Sequence, residues 1–124
     1  MRLNIKTTQK KVYRQIVEVI RSIPPLDTLR SRELDVLAIL MYYNHKYETL
    51  DEELRWRLIN DSSTRREMQA EIGMSEDVFT NNLSLVRKAG LIDRETGRLS
   101  KSLQIIVNKS FHVEFNFNIE GNEV

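Results

Sequence analysis

The sequence contains no cysteine, which excludes disulfides, thiolate zinc sites and cysteine nucleophiles together. It has only two histidines, His45 and His112, and their separation matches no metal-ligand spacing. It also lacks a glycine-rich phosphate loop, a Gly-x-Ser-x-Gly elbow and a Glu-x-x-His pair. We therefore predict a protein that is not an enzyme, with no catalytic residue, no metal site and no cofactor.

Long apolar runs are also missing, and no stretch approaches the ~20 residues of a membrane span. The first eleven residues are polar and basic, unlike a secretory signal. We therefore expect a cytoplasmic protein with no membrane contact. The chain has 124 residues, of which 40% are apolar and 30% charged, so we expect one domain with its own core.

The charge of the chain is nearly balanced, at a formal net +1. The balance is uneven along the chain: residues 1–32 carry +6, residues 33–63 carry −4 and residues 64–124 carry −1. The net charge by itself does not indicate a nucleic-acid binder. The basic N-terminal part is either an ordinary solvated helix face or a surface for phosphate or for a second copy.

Helical spacing of apolar residues predicts a helix over 8–22, capped by Thr7 or Thr8 and stopped before Pro24-Pro25. A second helix is predicted from about Ser31, as N-cap, to His45. Its apolar residues surround much of the circumference, which indicates a central, buried helix.

A third helix is predicted over Leu50 to Asn60, with acidic residues in its first turn. Leu54, Leu58 and Ile59 are expected to face the core, partly covered by Trp56.

Residues 64–92 predict two short helices separated by a turn. Gly73 follows the first helix, where a tight turn needs a left-handed residue. Ser75 is placed to cap the second helix, and Gly90 to end it. An apolar stripe runs along that second helix at Phe79, Leu83 and Val86.

This stretch resembles the winged helix-turn-helix superfamily of MarR-like and related regulators, over roughly residues 64–107. The likeness rests on Gly73-Met74-Ser75, the apolar stripe, and the closing Lys88-Ala89-Gly90-Leu91-Ile92. It implies a mainly α fold with a small β-sheet, in one domain over residues 1–124. That domain would comprise an N-terminal helical extension (1–30), a winged-helix core (31–107) and a C-terminal strand and tail (108–124).

The predicted wing begins with a strand at Leu91-Ile92 and turns at Glu95-Thr96-Gly97. It returns along the alternating residues Leu103, Ile105 and Val107. A further period-2 run over 111–119 predicts a half-buried strand. Its apolar face either packs onto the domain's own helices or forms a seam with a second copy or a partner strand.

The resemblance implies that the second helix of the motif enters the major groove of DNA. Asn81 is suited to reading adenine, and Glu76 or Asp77 to accepting from cytosine. The residues implied to face base edges are Ser75, Glu76, Asp77, Thr80, Asn81 and Ser84. Those implied to bind phosphates are Arg65, Arg66, Arg87 and Lys88, with Arg94, Arg98 and Lys101 on the wing.

Each of these roles has a purely structural alternative. Glu76 and Asp77 suit a helix start, and Arg87 and Lys88 suit a helix end, because both pairs complement the helix dipole. Asn81 is a poor helix former, which modestly favours a contact.

Two functions follow from these patterns. The first is sequence-specific binding of double-stranded DNA by a transcriptional regulator. A role in replication initiation would use the same DNA contacts and would differ only in the DNA site that is bound. This protein would be a possible homodimer through the N-terminal helix or the 111–119 strand. The alternative is a winged helix that binds a protein partner in a replication, RNA-polymerase-associated or phage virion assembly. A bacterial or phage source would suit either.

Overall fold

A computed structural model describes residues 2–121 and shows five α-helices. They are α1 (Gln9–Ile20), α2 (Ser31–Lys46), α3 (Glu52–Ile59), α4 (Ser62–Glu71) and α5 (Glu76–Lys88). Short 3-10 turns occur at Leu26–Thr28 and Lys101–Leu103. None of the helices within residues 2–121 is both long and apolar enough to cross a bilayer. The predicted mainly α fold with a small β-sheet is wrong in its sheet, because the described part contains no strand.

The second helix, α2, is the centre of the core. Eleven of its sixteen residues are buried, as its apolar circumference predicted. It packs against α1, α3 and α5. Because apolar burial is the main stabilising contribution in folding, the orientation of the other helices depends on this one.

Four of the five described helices begin at a short polar cap, and α2 is the exception. The hydroxyl of Thr8 accepts from the amide of Lys11 at 3.3 Å and starts α1, as predicted. Asp51 accepts from the amide of Leu54 at 2.9 Å, so α3 begins at Glu52. Ser31 was predicted as the N-cap of α2 but is its first helical residue, preceded by Arg30 without a side-chain cap.

Helix α3 buries only part of the face that was predicted: Ile59 is in the core as expected, but Leu54 is not. Trp56 and Ile59 are fully buried, whereas Leu54 is exposed and Leu58 is half-buried. Trp56 and Ile59 are three positions apart and share one side of the helix. Because α3 has only eight residues, this pair fills its buried side and Leu54 faces away from it.

The predicted wing reduces to one isolated antiparallel bridge between Ile92 and Leu99. Two hydrogen bonds flank this bridge. The amide of Asp93 donates to the carbonyl of Arg98 at 2.8 Å, and the amide of Ser100 donates to the carbonyl of Leu91 at 2.9 Å. The next residues form the Lys101–Leu103 turn, whose local hydrogen bonds divert the chain from the bridge. The bridge therefore does not extend into a sheet.

The return strand predicted through Leu103, Ile105 and Val107 is also wrong. The amide of Val107 donates to the hydroxyl of Tyr13 at 3.0 Å, and that hydroxyl bonds Nδ1 of His45. Leu103 and Val107 are buried against the helices. Their apolar side chains therefore insert into a helical core, and their backbone does not pair with the bridge.

The C-terminal strand predicted over 111–119 has no partner in the described part and forms no regular structure. Phe111, Val113 and Phe115 are only partly covered, while Phe117 is 88% and Ile119 94% exposed. A strand needs a neighbouring edge with which to bond, and the single bridge offers no free edge here. The expected packing onto the domain's own helices is therefore absent for the last two apolar residues.

Two residues of α5 test the orientation of that helix, because Phe79 is fully buried and Leu85 is 44% exposed. We expect Phe79→Ala to lower the free energy of unfolding by about 3–5 kcal/mol, because it leaves a large cavity. Leu85→Ala should lower it by less than about 1 kcal/mol, because little packing is lost. Denaturant unfolding followed by the fluorescence of the buried Trp56 measures both. Equal losses would contradict the orientation.

Candidate nucleic-acid interface

The turn between α4 and α5 has the geometry that the sequence predicted. Gly73 has φ +64° and follows the last turn of α4. Its amide donates to the carbonyl of Ala70 at 3.4 Å, and the amide of Met74 donates to that of Gln69 at 2.9 Å. This pair of bonds is a Schellman motif, which satisfies the last carbonyls of the helix.

Helix α5 begins and ends where the sequence predicted. The hydroxyl of Ser75 accepts from the amide of Val78 at 3.3 Å and caps the helix. Phe79, Leu83 and Val86 form its buried stripe. At its end a second Schellman motif at Gly90 returns the chain toward the core. Two helices joined by a short glycine turn make a helix-turn-helix.

The outer face of α5 is mostly polar and open to solvent. Asp77, Asn81, Ser84 and Lys88 recur at helical spacing and share that face. The exposed members of the predicted base-facing set are Ser75, Glu76, Asp77, Thr80 and Asn81, while Ser84 is half-buried. Leu85 also lies exposed on this helix and was not predicted. The helix therefore offers donors, acceptors and one apolar side chain to a partner surface.

Two arginines lie near one another between α4 and α5. Burial lowers the pKa of Arg65, and the nearby charge of Arg87 lowers that pKa further. The Nη2 of Arg65 donates to Oδ1 of Asn60 at 2.9 Å, while its buried Nε has no hydrogen-bond partner. Within residues 2–121, neither arginine forms an ion pair with a carboxylate. This uncompensated charge favours a bound anion such as phosphate.

The other two predicted phosphate ligands near the motif are exposed. Arg66 lies on α4, where its Nε donates only weakly to the carbonyl of Ser62 at 3.4 Å. Lys88 lies in the last turn of α5. Neither forms a salt bridge in the part of the chain that is described. Both are therefore available to an anionic partner.

The loop over 93–98 replaces the predicted wing and is held by side chains. The carboxylate of Asp93 accepts from the amides of Glu95 at 2.8 Å and Thr96 at 2.9 Å, and these bonds lower the pKa of Asp93. The Nδ2 of Asn60 donates to the carbonyl of Gly97 at 3.1 Å. Because Asn60 also binds Arg65, this one amide connects the loop to α4.

The basic residues of this loop region differ in availability. Glu52 lies 3.4 Å from Arg98 and 3.8 Å from Lys101, so both predicted wing contacts are already paired in the free protein. Arg94 is exposed and has no salt bridge within residues 2–121. The Lys101 side chain is 86% exposed, so its pair with Glu52 contributes little, about 0–1 kcal/mol, and exchange for phosphate would cost little there.

The basic N-terminal helix is partly neutralised. Arg14 bonds Asp35 and Glu18, each at 2.7 Å, and Arg21 bonds Glu18 at 2.8 Å. Lys10 and Lys11 stay exposed beside a groove of about 510 Å³ that also touches the end of α4. The excess charge of residues 1–32 is therefore only partly free to act on a partner.

Three residues of this interface were not predicted from the sequence. Asn60 fixes the loop and Glu52 pairs the loop cations, and both act over more than thirty positions of sequence. Leu85 is on the outer side of α5 because the buried stripe lies two residues earlier, at Leu83. The exposure of Leu85 could therefore have been predicted from the position of this stripe in the sequence.

Comparison with protein-family models, curated protein sequences and solved structures finds no match to this chain. Within residues 2–121, no group of three or more histidine, aspartate or glutamate side chains is placed to hold a metal ion.

Gly97 and Gly73 test how the loop is fixed. Both have positive φ, but a Cβ at Gly73 would meet nothing within 4 Å, whereas one at Gly97 would lie 2.8 Å from Nδ2 of Asn60. We expect Gly73→Ala to cost about 1–2 kcal/mol of backbone strain. Gly97→Ala should cost about 1 kcal/mol more, because it also displaces a hydrogen-bonded amide. Denaturant unfolding compares them, and an equal or smaller loss at Gly97 would contradict the role of Asn60.

Proposed function

We propose that this protein binds double-stranded DNA sequence-specifically, as a transcriptional regulator in the cytoplasm, and that it is not an enzyme. The observation that carries the proposal is the helix-turn-helix of α4 and α5, whose polar outer face lies beside the uncompensated Arg65–Arg87 pair. In DNA-binding helix-turn-helix proteins the second helix occupies the major groove. Here that helix is α5.

The outer face of α5 supplies the base contacts in this proposal. Asn81 is placed at the exposed centre of that face and carries the donor and acceptor that adenine requires. Thr80 and Ser84 flank it as smaller donors and acceptors. Glu76 and Asp77 accept from the amino group of cytosine, and Leu85 contacts a thymine methyl.

Phosphate contacts fix the register of the protein on the duplex. Arg65 and Arg87 act as one site, because burial lowers the pKa of Arg65, the charge of Arg87 lowers it further, and an anion between them relieves that repulsion. Arg66, Lys88 and Arg94 add exposed charges that carry no salt bridge within residues 2–121.

A second candidate function is a protein-interaction module in a replication, RNA-polymerase-associated or virion assembly. The observation that favours it is the composition of the outer face of α5. Glu76 and Asp77 are exposed there and repel phosphate, and Leu85 is an exposed apolar side chain. Such a face also suits a basic and apolar protein surface.

Arg87→Gln tests the DNA-binding function. Fluorescence anisotropy on a random-sequence duplex pool, repeated over a salt series, should show log K falling by about 0.9 per phosphate contact for each unit of log salt. Loss of one contact should reduce that slope by about 0.9 and weaken binding by about tenfold at low salt. Arg21→Gln, the same change at the end of α1, should leave both unchanged, because Arg21 is paired with Glu18.

Stability provides the control for the same variant. Arg87 repels Arg65, so Arg87→Gln should change the free energy of unfolding by no more than about 0.5 kcal/mol. A binding defect with unchanged stability supports a contact. If the unmodified protein binds no duplex at low salt, the DNA-binding proposal fails and the protein-interaction module takes its place.

A further inference from the structure

The segment over 111–119 has two properties that an isolated chain leaves unexplained. Its apolar side chains occupy alternate positions, and the rings of Phe115 and Phe117 stack with centroids 6.5 Å apart, so alternate residues share one side. Its backbone amides and carbonyls make no hydrogen bond to any other part of residues 2–121. Alternating apolar residues with unpaired backbone groups favour pairing with another extended segment.

The sequence of the segment is complementary to itself in one particular arrangement. When two copies run antiparallel about Phe115, Phe111 faces Ile119 and Val113 faces Phe117. Every apolar residue then has an apolar partner. Among the polar positions, Glu114 faces Asn116 and His112 faces Asn118, so no carboxylate faces another. Parallel, in-register pairing would instead oppose Glu114 to Glu114, which is destabilising.

We propose that residues 111–119 pair antiparallel with the same segment of a second copy and form a two-fold symmetric dimer. Symmetry of this kind requires a surface that complements itself, which the register about Phe115 supplies. A two-stranded ribbon is marginal on its own in water. Phe111, Val113 and Phe115 are 39–43% exposed in the single chain, so pairing with a second copy removes further apolar area from water and favours the dimer.

This dimer does not depend on the proposed DNA function. If both hold, the two-fold axis relates two copies of α5 and predicts a palindromic site. The dimer is tested without DNA, so failure of one proposal is distinguishable from failure of the other.

Asn116 distinguishes the register, because each dimer contains two Asn116–Glu114 contacts. Asn116→Lys places a cation opposite each Glu114 and should tighten the dimer several-fold, about two- to thirtyfold. Asn116→Glu places like charges opposite each other and should weaken it by a similar factor. Sedimentation velocity over a concentration series measures the dissociation constant of each.

Ser102→Lys and Ser102→Glu are the matched controls, because Ser102 is exposed and lies outside the segment. They should leave the dissociation constant unchanged, which separates a local contact from an effect of net charge. An unmodified protein that stays monomeric at its highest soluble concentration overturns the proposal, and leaves the segment to a different partner. Weakening by Asn116→Lys overturns it as well, because parallel pairing would oppose lysine to lysine.

Discussion

The burial of α2 is the constraint on which the other elements depend. Its apolar residues surround most of the helix, so it can leave water only if neighbouring elements cover several of its sides. Helices α1, α3 and α5 provide that cover. Because α5 contributes Phe79, Leu83 and Val86 to this core, its opposite face is held toward solvent. The presentation of Asn81 thus follows from the packing of α2.

The arginine charges between α4 and α5 are poorly compensated within the protein. Several arginines away from α4 and α5 have carboxylate partners, as Arg14 and Arg98 do. Arg65 instead is half-buried, is bonded to a neutral amide, and is repelled by Arg87. A partly buried cation near a like charge lowers the stability of the fold unless an anion binds. Destabilising charged groups of this kind concentrate at functional sites.

Local patterns predicted the helices well, because capping and helical periodicity depend on residues that are close in sequence. Thr8, Ser75 and Gly73 act within four or five positions of the groups they bond. Leu54 was misplaced because a single short helix has two possible apolar sides, and only packing chooses between them. The partners of Glu52 and Asn60 could not be predicted either, because packing alone brings these residues to the loop over 93–98, which is distant from them in sequence.

The missing sheet has a related cause. Alternation predicts which side chains would share a face of a strand, but a strand also needs a neighbour with free backbone groups. After Ser100 the amides of Leu103 and Gln104 bond within a local turn and that of Val107 bonds Tyr13, so no regular ladder continues from the bridge. The segment over 111–119 keeps the alternating pattern, but no neighbouring strand lies beside it in the described part of the chain. Any strand pairing of this segment therefore requires another chain.

We propose that the outer face of α5 contacts DNA, and an amide chemical-shift titration by NMR tests this contact most directly. The titrated ligand would be a duplex selected from a random pool, with an unselected duplex for comparison. We expect the amide signals of Thr80, Asn81 and Ser84 to shift most, and only with the selected duplex, while those around Phe117 stay unchanged. Shifts confined to residues outside α4, α5 and the loop over 93–98 would contradict it.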